Sequence, residues 1–396
     1  GHRRFAPMFK IVPDDFVFAP SLALPLRAIV ASLQCSKSFL TILYSALPFS
    51  ESFCLIVLSL FAVFIAVIQK GCAMNKITLS LLLALSPAIH AAEQATPNQL
   101  IDVFAKVFGE HKGERKGHAK GFCAVGNFQA LPDAKNFSSV AWLSGETVPV
   151  TARFSMAGGN PKAPENGRSP RGLGLQLKTA NGQIQHFTML NTPVFGAKDP
   201  ENFLGLLQTL IPDPATGKPD LAKVQAFRAA HPDTQPQAGY LAKNSPPWSY
   251  ATTPYFGIHT FFIKDNSGVE QKVRWQFVPK DGVKGLTEAE IKAPPTDFLQ
   301  KRLAERLAKG PTQWTMQLVL GEAGDTETDP SVLWPKERKT LDIGLLSITE
   351  QGGDACTGLN FDPNVLSTGL RASADRVLQM RSPAYAISFG KRLTGQ

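Results

Sequence analysis

The segment Arg381-Ser-Pro-Ala-Tyr385-Ala-Ile-Ser-Phe-Gly-Lys-Arg392 places a tyrosine between two arginines near the end of the chain. Because an α-helix has 3.6 residues per turn, spacings of four and seven residues put these three side chains on one helical face. A phenol is neutral at pH 7 unless nearby cations stabilise its ionised form. Two guanidinium groups beside one phenol therefore favour a tyrosinate that binds a metal ion.

Three upstream motifs fit the same chemistry. They are Arg115-Lys-Gly-His118-Ala-Lys-Gly, Arg153-Phe-Ser155 and Asn191-Thr-Pro-Val-Phe195. In content and in order along the chain, these motifs and the terminal segment resemble the catalase family. Within that family the chain is most similar to the small periplasmic branch, the catalase-related peroxidases. The resemblance implies a haem enzyme, with haem b as the cofactor.

The terminal helix carries the residues that the resemblance places on the proximal side of the haem. In catalases a tyrosine is the axial ligand of the haem iron, so the resemblance implies that Tyr385 binds iron. Arg381 lies one turn earlier and matches the arginine that stabilises the phenolate. Arg392 matches an arginine that pairs with a haem propionate. An arginine suits both positions because it is always charged and planar.

The upstream motifs carry the distal residues. The resemblance implies that His118 moves a proton between the two oxygens of the peroxide, which an imidazole can do at neutral pH. Ser155 matches the serine that holds the second nitrogen of that imidazole. Arg115 and Arg153 match two further propionate-binding positions, and Phe203 matches a residue that packs on the haem face. Three histidines lack such a context and are predicted to be structural or exposed: His186, His231 and His259.

Two positions depart from the family pattern. Catalases carry two asparagines before Thr-Pro, whereas Leu190 replaces the first of them here. Losing one oriented donor costs about 2.7–4 kcal/mol in comparable polar sites. In the segment Arg168-Ser169-Pro-Arg171-Gly, neutral Ser169 replaces the aspartate of the access route. Both changes should weaken the reaction with a second hydrogen peroxide molecule, so peroxidase activity is predicted to exceed dismutation.

The resemblance therefore implies a haem-dependent peroxidase that reduces hydrogen peroxide or organic hydroperoxides through an oxoferryl intermediate. Its electrons would come from an unidentified small-molecule donor. Three alternatives remain open. They are a minimal catalase that dismutates hydrogen peroxide, an enzyme of the same fold that rearranges lipid hydroperoxides, and a haem carrier or sensor without catalytic activity.

The hydrophobic pattern predicts an α+β fold. Short segments with alternating apolar residues are separated by Gly, Pro and Asn, which is typical of antiparallel strands. The predicted strands are 121–129, 148–154, 172–178, 183–188, 253–264, 271–279, 312–320 and 339–349. The predicted helices are 98–108, 202–211, 221–231, one within 287–308, and a last one capped by Ser373. The resemblance implies a catalase-like closed antiparallel β-barrel with surrounding helices.

Composition limits the possible partners. The chain has 396 residues and a formal net charge of +9. It contains no run of Lys and Arg with interleaved aromatic residues, and no recognised nucleic-acid motif. We therefore expect no nucleic-acid partner and no stable membrane partner. A barrel this short is expected to be a monomer or a dimer.

The N-terminal part resembles a targeting region. Residues 74–92 combine a short charged start, an apolar run and a small-residue exit, which is the pattern of a secretory signal peptide. A signal peptide normally opens a protein, so residues 1–73 are predicted to be an over-extended leader. The alternative is a membrane anchor at Phe53–Ile68, although this stretch is short for a span. The enzyme domain is predicted to cover residues 93–396 and to be exported to the periplasm.

Cysteine content agrees with export. The predicted mature chain keeps two cysteines, Cys123 and Cys356. An even number of cysteines in an oxidising compartment favours one disulfide. Two buried thiols remain the alternative, since spacing along the chain does not decide between them.

Overall fold

Ten antiparallel strands form the central sheet of the protein, seen in a computed structural model that describes residues 94–295 and 297–396. The strands are β1 (Gly121–Ala130), β2 (Thr147–Met156), β3 (Arg171–Lys178), β4 (Ile184–Leu190), β5 (Tyr255–Phe256), β6 (Phe261–Lys264), β7 (Glu270–Pro279), β8 (Thr312–Leu320), β9 (Thr340–Gln351) and β10 (Leu370–Ala372). Eight of these strands close into a barrel because β7 pairs with both β5 and β8. Strands β6 and β10 extend the sheet outside that ring.

Side chains fill the barrel. An eight-stranded barrel has an interior just wide enough for side chains, and closure removes the exposed strand edges. Large aromatic residues occupy this interior; Phe128, Phe154, Phe187 and Trp314 are fully buried there. The predicted α+β class and closed antiparallel barrel are confirmed.

Two hairpin turns connect consecutive strands of the sheet. Gly182 adopts a left-handed backbone (φ 81°) in the turn between β3 and β4. A glycine favours this region because it has no Cβ. Between β6 and β7, the carboxylate of Asp265 accepts hydrogen bonds from the backbone N–H groups of Ser267 and Val269. A glycine therefore permits the first turn, and a local carboxylate fixes the second.

Helices cover the outside of the barrel. They are α1 (Pro97–Phe108), α2 (Ala134–Phe137), α3 (Pro200–Thr209), α4 (Leu221–Ala230), α5 (Gln235–Lys243), α6 (Glu288–Lys292), α7 (Phe298–Leu307) and α8 (Arg376–Leu393). In the described part of the chain, short 3-10 helices lie at Ala141–Leu143, Pro232–Thr234 and Tyr250–Thr252. Among the described residues, no helix is long and apolar enough to cross a membrane.

Helices α1, α3 and α8 pack together beside the barrel. Thr96 and Gln99 form a capping box that starts α1. Leu100 on α1 packs with Leu207 on α3 and Met380 on α8 in a small apolar cluster. This cluster is separate from the barrel core and brings α8, which carries Tyr385, against α1.

Some predicted boundaries are wrong. Helix α8 is capped by Asp375, whose carboxylate accepts from the N–H groups of Val377 and Leu378, and not by Ser373. The predicted strand 253–264 is interrupted, since residues 257–260 lie between β5 and β6. The helix expected within 287–308 is two helices, α6 and α7. The predicted leader, signal peptide and alternative anchor lie outside the described residues.

Candidate functional site

A cavity of about 390 Å³ lies between the barrel and helices α1, α3 and α8. Its size is within the range of small-molecule and cofactor sites, and its walls are mostly apolar. The cavity is lined by all eight residues to which the sequence analysis gave a role in the site. They are Arg115, His118, Arg153, Ser155, Phe203, Arg381, Tyr385 and Arg392. Residues from widely separated parts of the chain therefore meet at one place.

His118 is held by a serine from the neighbouring strand. Its Nδ1 lies 2.9 Å from Oγ of Ser155, and that hydroxyl also lies 3.5 Å from the carbonyl of Gly172. When the hydroxyl donates to Gly172, its oxygen accepts from Nδ1–H and Nε2 keeps a free lone pair. Gly172 is required by space, because a Cβ there would lie 2.7 Å from the imidazole and 2.8 Å from Oγ of Ser155.

The backbone of His118 needs external support. It has φ 56°, a left-handed conformation that costs a non-glycine residue about 1–2 kcal/mol. Arg153 supplies the support. Its guanidinium donates to the carbonyls of His118 (2.9 Å) and Ala119 (3.1 Å). Arg153 therefore orients the histidine segment in addition to lining the cavity.

The surroundings keep the imidazole neutral. Burial is the main cause, and it lowers the pKa of His118 to about 3. The cations Arg153, Arg381 and Arg115 act in the same direction. A neutral imidazole is an acceptor, so His118 is ready to take a proton from a molecule in the cavity.

Three arginines at the cavity lack carboxylate partners. Within residues 94–295 and 297–396, Arg115, Arg153 and Arg392 form no ion pair, and Nη2 of Arg392 is buried without a hydrogen-bond partner. Burial lowers the pKa of Arg115 to about 9, with repulsion from Arg153 and Arg392 as further causes. Burial likewise lowers the pKa of Arg153 to about 10. Uncompensated guanidinium groups beside an apolar cavity suit a ligand with two carboxylates, so the predicted haem fits these residues.

Tyr385 receives a hydrogen bond from Arg381. Nη2 of Arg381 donates to the phenol oxygen, and Nη1 lies 3.2 Å from Nε2 of His259. Nδ1 of His259 lies 2.7 Å from the carboxylate of Asp375. Since the carboxylate accepts from Nδ1–H, Nε2 accepts from Arg381, which requires a neutral His259. Burial lowers the pKa of His259, in agreement with that state.

Aromatic residues form one wall of the cavity. Phe203 on α3 packs against Phe195 with ring centroids 4.7 Å apart and against Phe104 of α1 at 6.2 Å. All three side chains line the cavity. They provide an apolar aromatic wall against which an aromatic macrocycle could pack.

The two departures from the family pattern occupy different places. Leu190 lines the cavity, whereas Ser169 is not among its lining residues. Both the carbonyl and the hydroxyl of Ser169 accept hydrogen bonds from Arg171. The side chain of Asn191 accepts from the N–H of Arg171 (2.7 Å) and is absent from the lining. Leu190 is therefore the departure that changes the cavity itself.

The sequence prediction missed the contact of His259 with Arg381. No local motif marks His259, and its partners are remote in sequence, so only the folded chain reveals the contact. The other two histidines are structural, as predicted. His186 lies 3.1 Å from the carbonyl of Asp362, and His231 stacks on Phe227.

The disulfide is formed. Cys123 on β1 and Cys356 in the loop after β9 are bonded, with their Cα atoms 5.3 Å apart. This confirms the predicted pairing and excludes two free thiols.

The fold and the cavity define a β-barrel protein with an apolar, arginine-lined cofactor site, and sequence comparison identifies its class. The sequence model of the catalase family matches residues 92–396. The chain belongs to the catalase family. It is 47% identical over 308 residues to a catalase-related peroxidase of Synechococcus elongatus, covering 77% of this chain and 91% of that protein. It is 31% identical to a catalase-related peroxidase of Mycolicibacterium paratuberculosis, covering 75% of this chain and 95% of the relative.

Solved structures show the same fold. A fungal catalase superimposes with a TM-score of 0.65 and 25% sequence identity, covering 74% of this chain. The match covers 62% of that catalase, so the chain spans less than two thirds of its length.

Proposed function

We propose that this protein is a haem-dependent peroxidase that reduces hydrogen peroxide or organic hydroperoxides with electrons from a small-molecule donor. The observation that carries the proposal is one apolar cavity lined by both an arginine-bound tyrosine, Tyr385, and a serine-bound neutral histidine, His118. The similarity to two catalase-related peroxidases, each covered over more than nine tenths of its length, supports the same reaction.

The cofactor proposed is haem b. Tyr385 would bind the iron, and Arg115, Arg153 and Arg392 would hold the two carboxylates. Phe203 would pack on the ring. When bound, haem supplies the iron that exchanges electrons with the peroxide and with the donor.

The protein's own contribution is proton transfer and orientation. Nε2 of His118 takes the proton of the hydroperoxide and returns it to the outer oxygen, which leaves as water or as an alcohol. Ser155 fixes the ring so that Nε2 keeps the acceptor role. Arg381 donates to the oxygen of Tyr385 and stabilises negative charge there.

Peroxidase activity should exceed dismutation. Dismutation requires a second hydrogen peroxide molecule as the reductant, and Leu190 offers that molecule no hydrogen-bond donor at the cavity wall. The test measures oxygen evolution from hydrogen peroxide and oxidation of an aromatic donor on one preparation. Donor oxidation with little oxygen supports the proposal. Oxygen evolution at a catalase-like rate without donor oxidation would identify a minimal catalase instead.

We also propose a periplasmic location and a monomer or dimer. The signal-like segment at residues 74–92 supports export, and the Cys123–Cys356 disulfide is typical of an oxidising compartment. N-terminal sequencing of the secreted protein tests this proposal. A mature chain that starts at Ala92 or Glu93 is expected, and retention of residues 1–73 would contradict it.

A further inference from the structure

The Cys123–Cys356 disulfide is connected to two arginines of the cavity: Cys123 is the β-ladder partner of Arg153, and the carbonyl of Cys356 accepts a hydrogen bond from Arg115. We infer that this disulfide positions Arg115 for binding a carboxylate of the cofactor, and that breaking it weakens cofactor retention. The inference rests on the proposed haem site. It assigns to the disulfide a specific role in the site in addition to any general effect on stability.

The contacts of Arg115 connect it to Cys356. Nη2 of Arg115 donates to the carbonyl of Leu359 (2.9 Å) and to the carbonyl of Cys356 (3.3 Å). Both acceptors belong to the loop between β9 and β10, at residues 352–369. The direction of the guanidinium therefore depends on where this loop is held.

The other end of the disulfide lies on a rigid element. Cys123 is in β1, within the barrel, and its partner in the β1–β2 ladder is Arg153. Sγ of Cys123 also accepts a hydrogen bond from the N–H of Cys356 (3.1 Å). The bond thus fixes the Arg115 acceptors relative to the strand pair that carries Arg153.

Other contacts hold the later part of this loop independently. Oγ1 of Thr188 donates to the carbonyl of Phe361 (2.8 Å), and Asn364 donates to the carbonyl of Leu378. Residues 356–359 have fewer anchors: Cys123, Cys356, Leu359 and Phe361 form only a small apolar cluster of their own. Loss of the disulfide should therefore release the acceptors of Arg115 before it disturbs Phe361.

Electrostatic repulsion favours the displacement of Arg115. Arg153 and Arg392 both repel its guanidinium, which is partly buried. The two loop carbonyls offset part of this repulsion because they accept from the charged group. When these acceptors become mobile, the side chain of Arg115 lowers its electrostatic energy by turning to solvent. The cofactor then loses one cationic partner.

The experiment measures how fast haem leaves the intact holoenzyme for an excess of apomyoglobin. We compare the wild type with a Cys123→Ser/Cys356→Ser variant, with Arg115→Gln, and with the three changes combined. Wild-type protein reduced with a phosphine provides a second route to the broken bond if the double variant folds poorly. Each protein is also loaded with haem dimethyl ester, which has no free carboxylates.

The disulfide variant, the reduced wild type and Arg115→Gln should each release haem about ten-fold faster or more, as expected for losing a hydrogen bond to a charged group. The combined variant should be no faster than Arg115→Gln alone, because both changes remove the same contact. The ester should leave all four proteins at similar rates. Leu318→Ala, in the barrel core away from the cavity, is the control for general destabilisation and should release haem at the wild-type rate.

Three results would overturn the inference: unchanged haem release without the disulfide, equal acceleration for haem and its ester, or full additivity with Arg115→Gln. A wild-type protein that takes up no haem would instead refute the proposed function. The two failures are therefore distinguishable in one set of measurements.

Discussion

Proton transfer depends on the imidazole of His118. Replacing it with alanine removes the acceptor, and general acid–base catalysis is typically worth a factor of 10²–10⁴. We expect His118→Ala to slow the reaction with hydrogen peroxide by a factor in that range while haem binding persists. Stopped-flow absorbance measures this rate. His231→Gln is the matched control, since His231 is not among the cavity residues; equal losses in both variants would argue against the assigned role.

The low pKa of His118 predicts how stability changes with pH. An unfolded histidine titrates near pH 6.5, whereas the folded His118 has a pKa of about 3. Between these values the unfolded chain binds more protons, so acidification from pH 6.5 to 4.5 costs at most about 2–3 kcal/mol. In urea unfolding of the apoprotein, His118→Gln should lose correspondingly less stability over that range. If the free energy of unfolding fell equally with pH in both proteins, the assigned pKa would be contradicted.

Leu190 is the residue expected to limit dismutation. An asparagine at this position would present a donor to the second peroxide, and one oriented donor is worth about 2.7–4 kcal/mol in comparable sites. We predict that Leu190→Asn raises the ratio of oxygen evolved to donor oxidised at least ten-fold. Ser169→Asp should change the ratio less, because Ser169 does not line the cavity. A larger effect of Ser169→Asp would refute this ranking.

Helix α8 combines an N-cap with support for Arg381. One carboxylate oxygen of Asp375 caps the helix and the other binds His259, which in turn contacts Arg381. Asp375→Ser should retain a cap but lose the bond to His259, so the absorption spectrum of the bound haem should shift. Asp375→Ala should show the same shift and also lose about 0.5–2 kcal/mol of stability. An unchanged spectrum in both variants would show that this contact does not affect Tyr385.

Long regular elements could be predicted from the sequence, and their interruptions could not. Apolar alternation marks β1 to β4 and β7 to β9 because each has one face in the barrel core. Strands β5 and β6 both pair with β7, but their other neighbours are β4 and β10, and no local pattern records this change of partner. Ser373 and Asp375 are both good N-caps, and what separates them is tertiary: the N–H of Ser373 donates to the carbonyl of Thr260, whereas Asp375 binds His259.

In the site, too, the residues that carry a motif could be predicted, and those defined only by tertiary contacts could not. The resemblance of the motifs to the catalase family singled out eight of the residues that line the cavity. His259, Gly172 and the loop carbonyls that bind Arg115 carry no such pattern. Their roles depend on distances across the molecule, such as the 2.7 Å approach that a Cβ at position 172 would make to the imidazole.

At the scale of the whole molecule, α1 is needed to complete the cavity. Leu100, Ile101, Phe104 and Phe108 of this helix line it, and Ala95 is bound to Glu201 of α3. A chain that begins at Glu93 should therefore fold and retain haem. A chain that begins at Glu110 should keep the barrel but release haem at least ten-fold faster, because loss of about four apolar side chains opens the site to water. Circular dichroism and haem release measure the two effects, and equal retention by both chains would contradict this role of α1.

Iron binding by Tyr385 is tested by the absorption spectrum of the purified holoenzyme, compared with those of Tyr385→Phe and Tyr240→Phe. Tyr240 does not line the cavity and serves as the control. We expect a ferric haem whose phenolate-to-iron band is present in the wild type and in Tyr240→Phe, and absent in Tyr385→Phe. A band that persists unchanged in Tyr385→Phe, or a wild-type protein that binds no haem, would contradict this assignment.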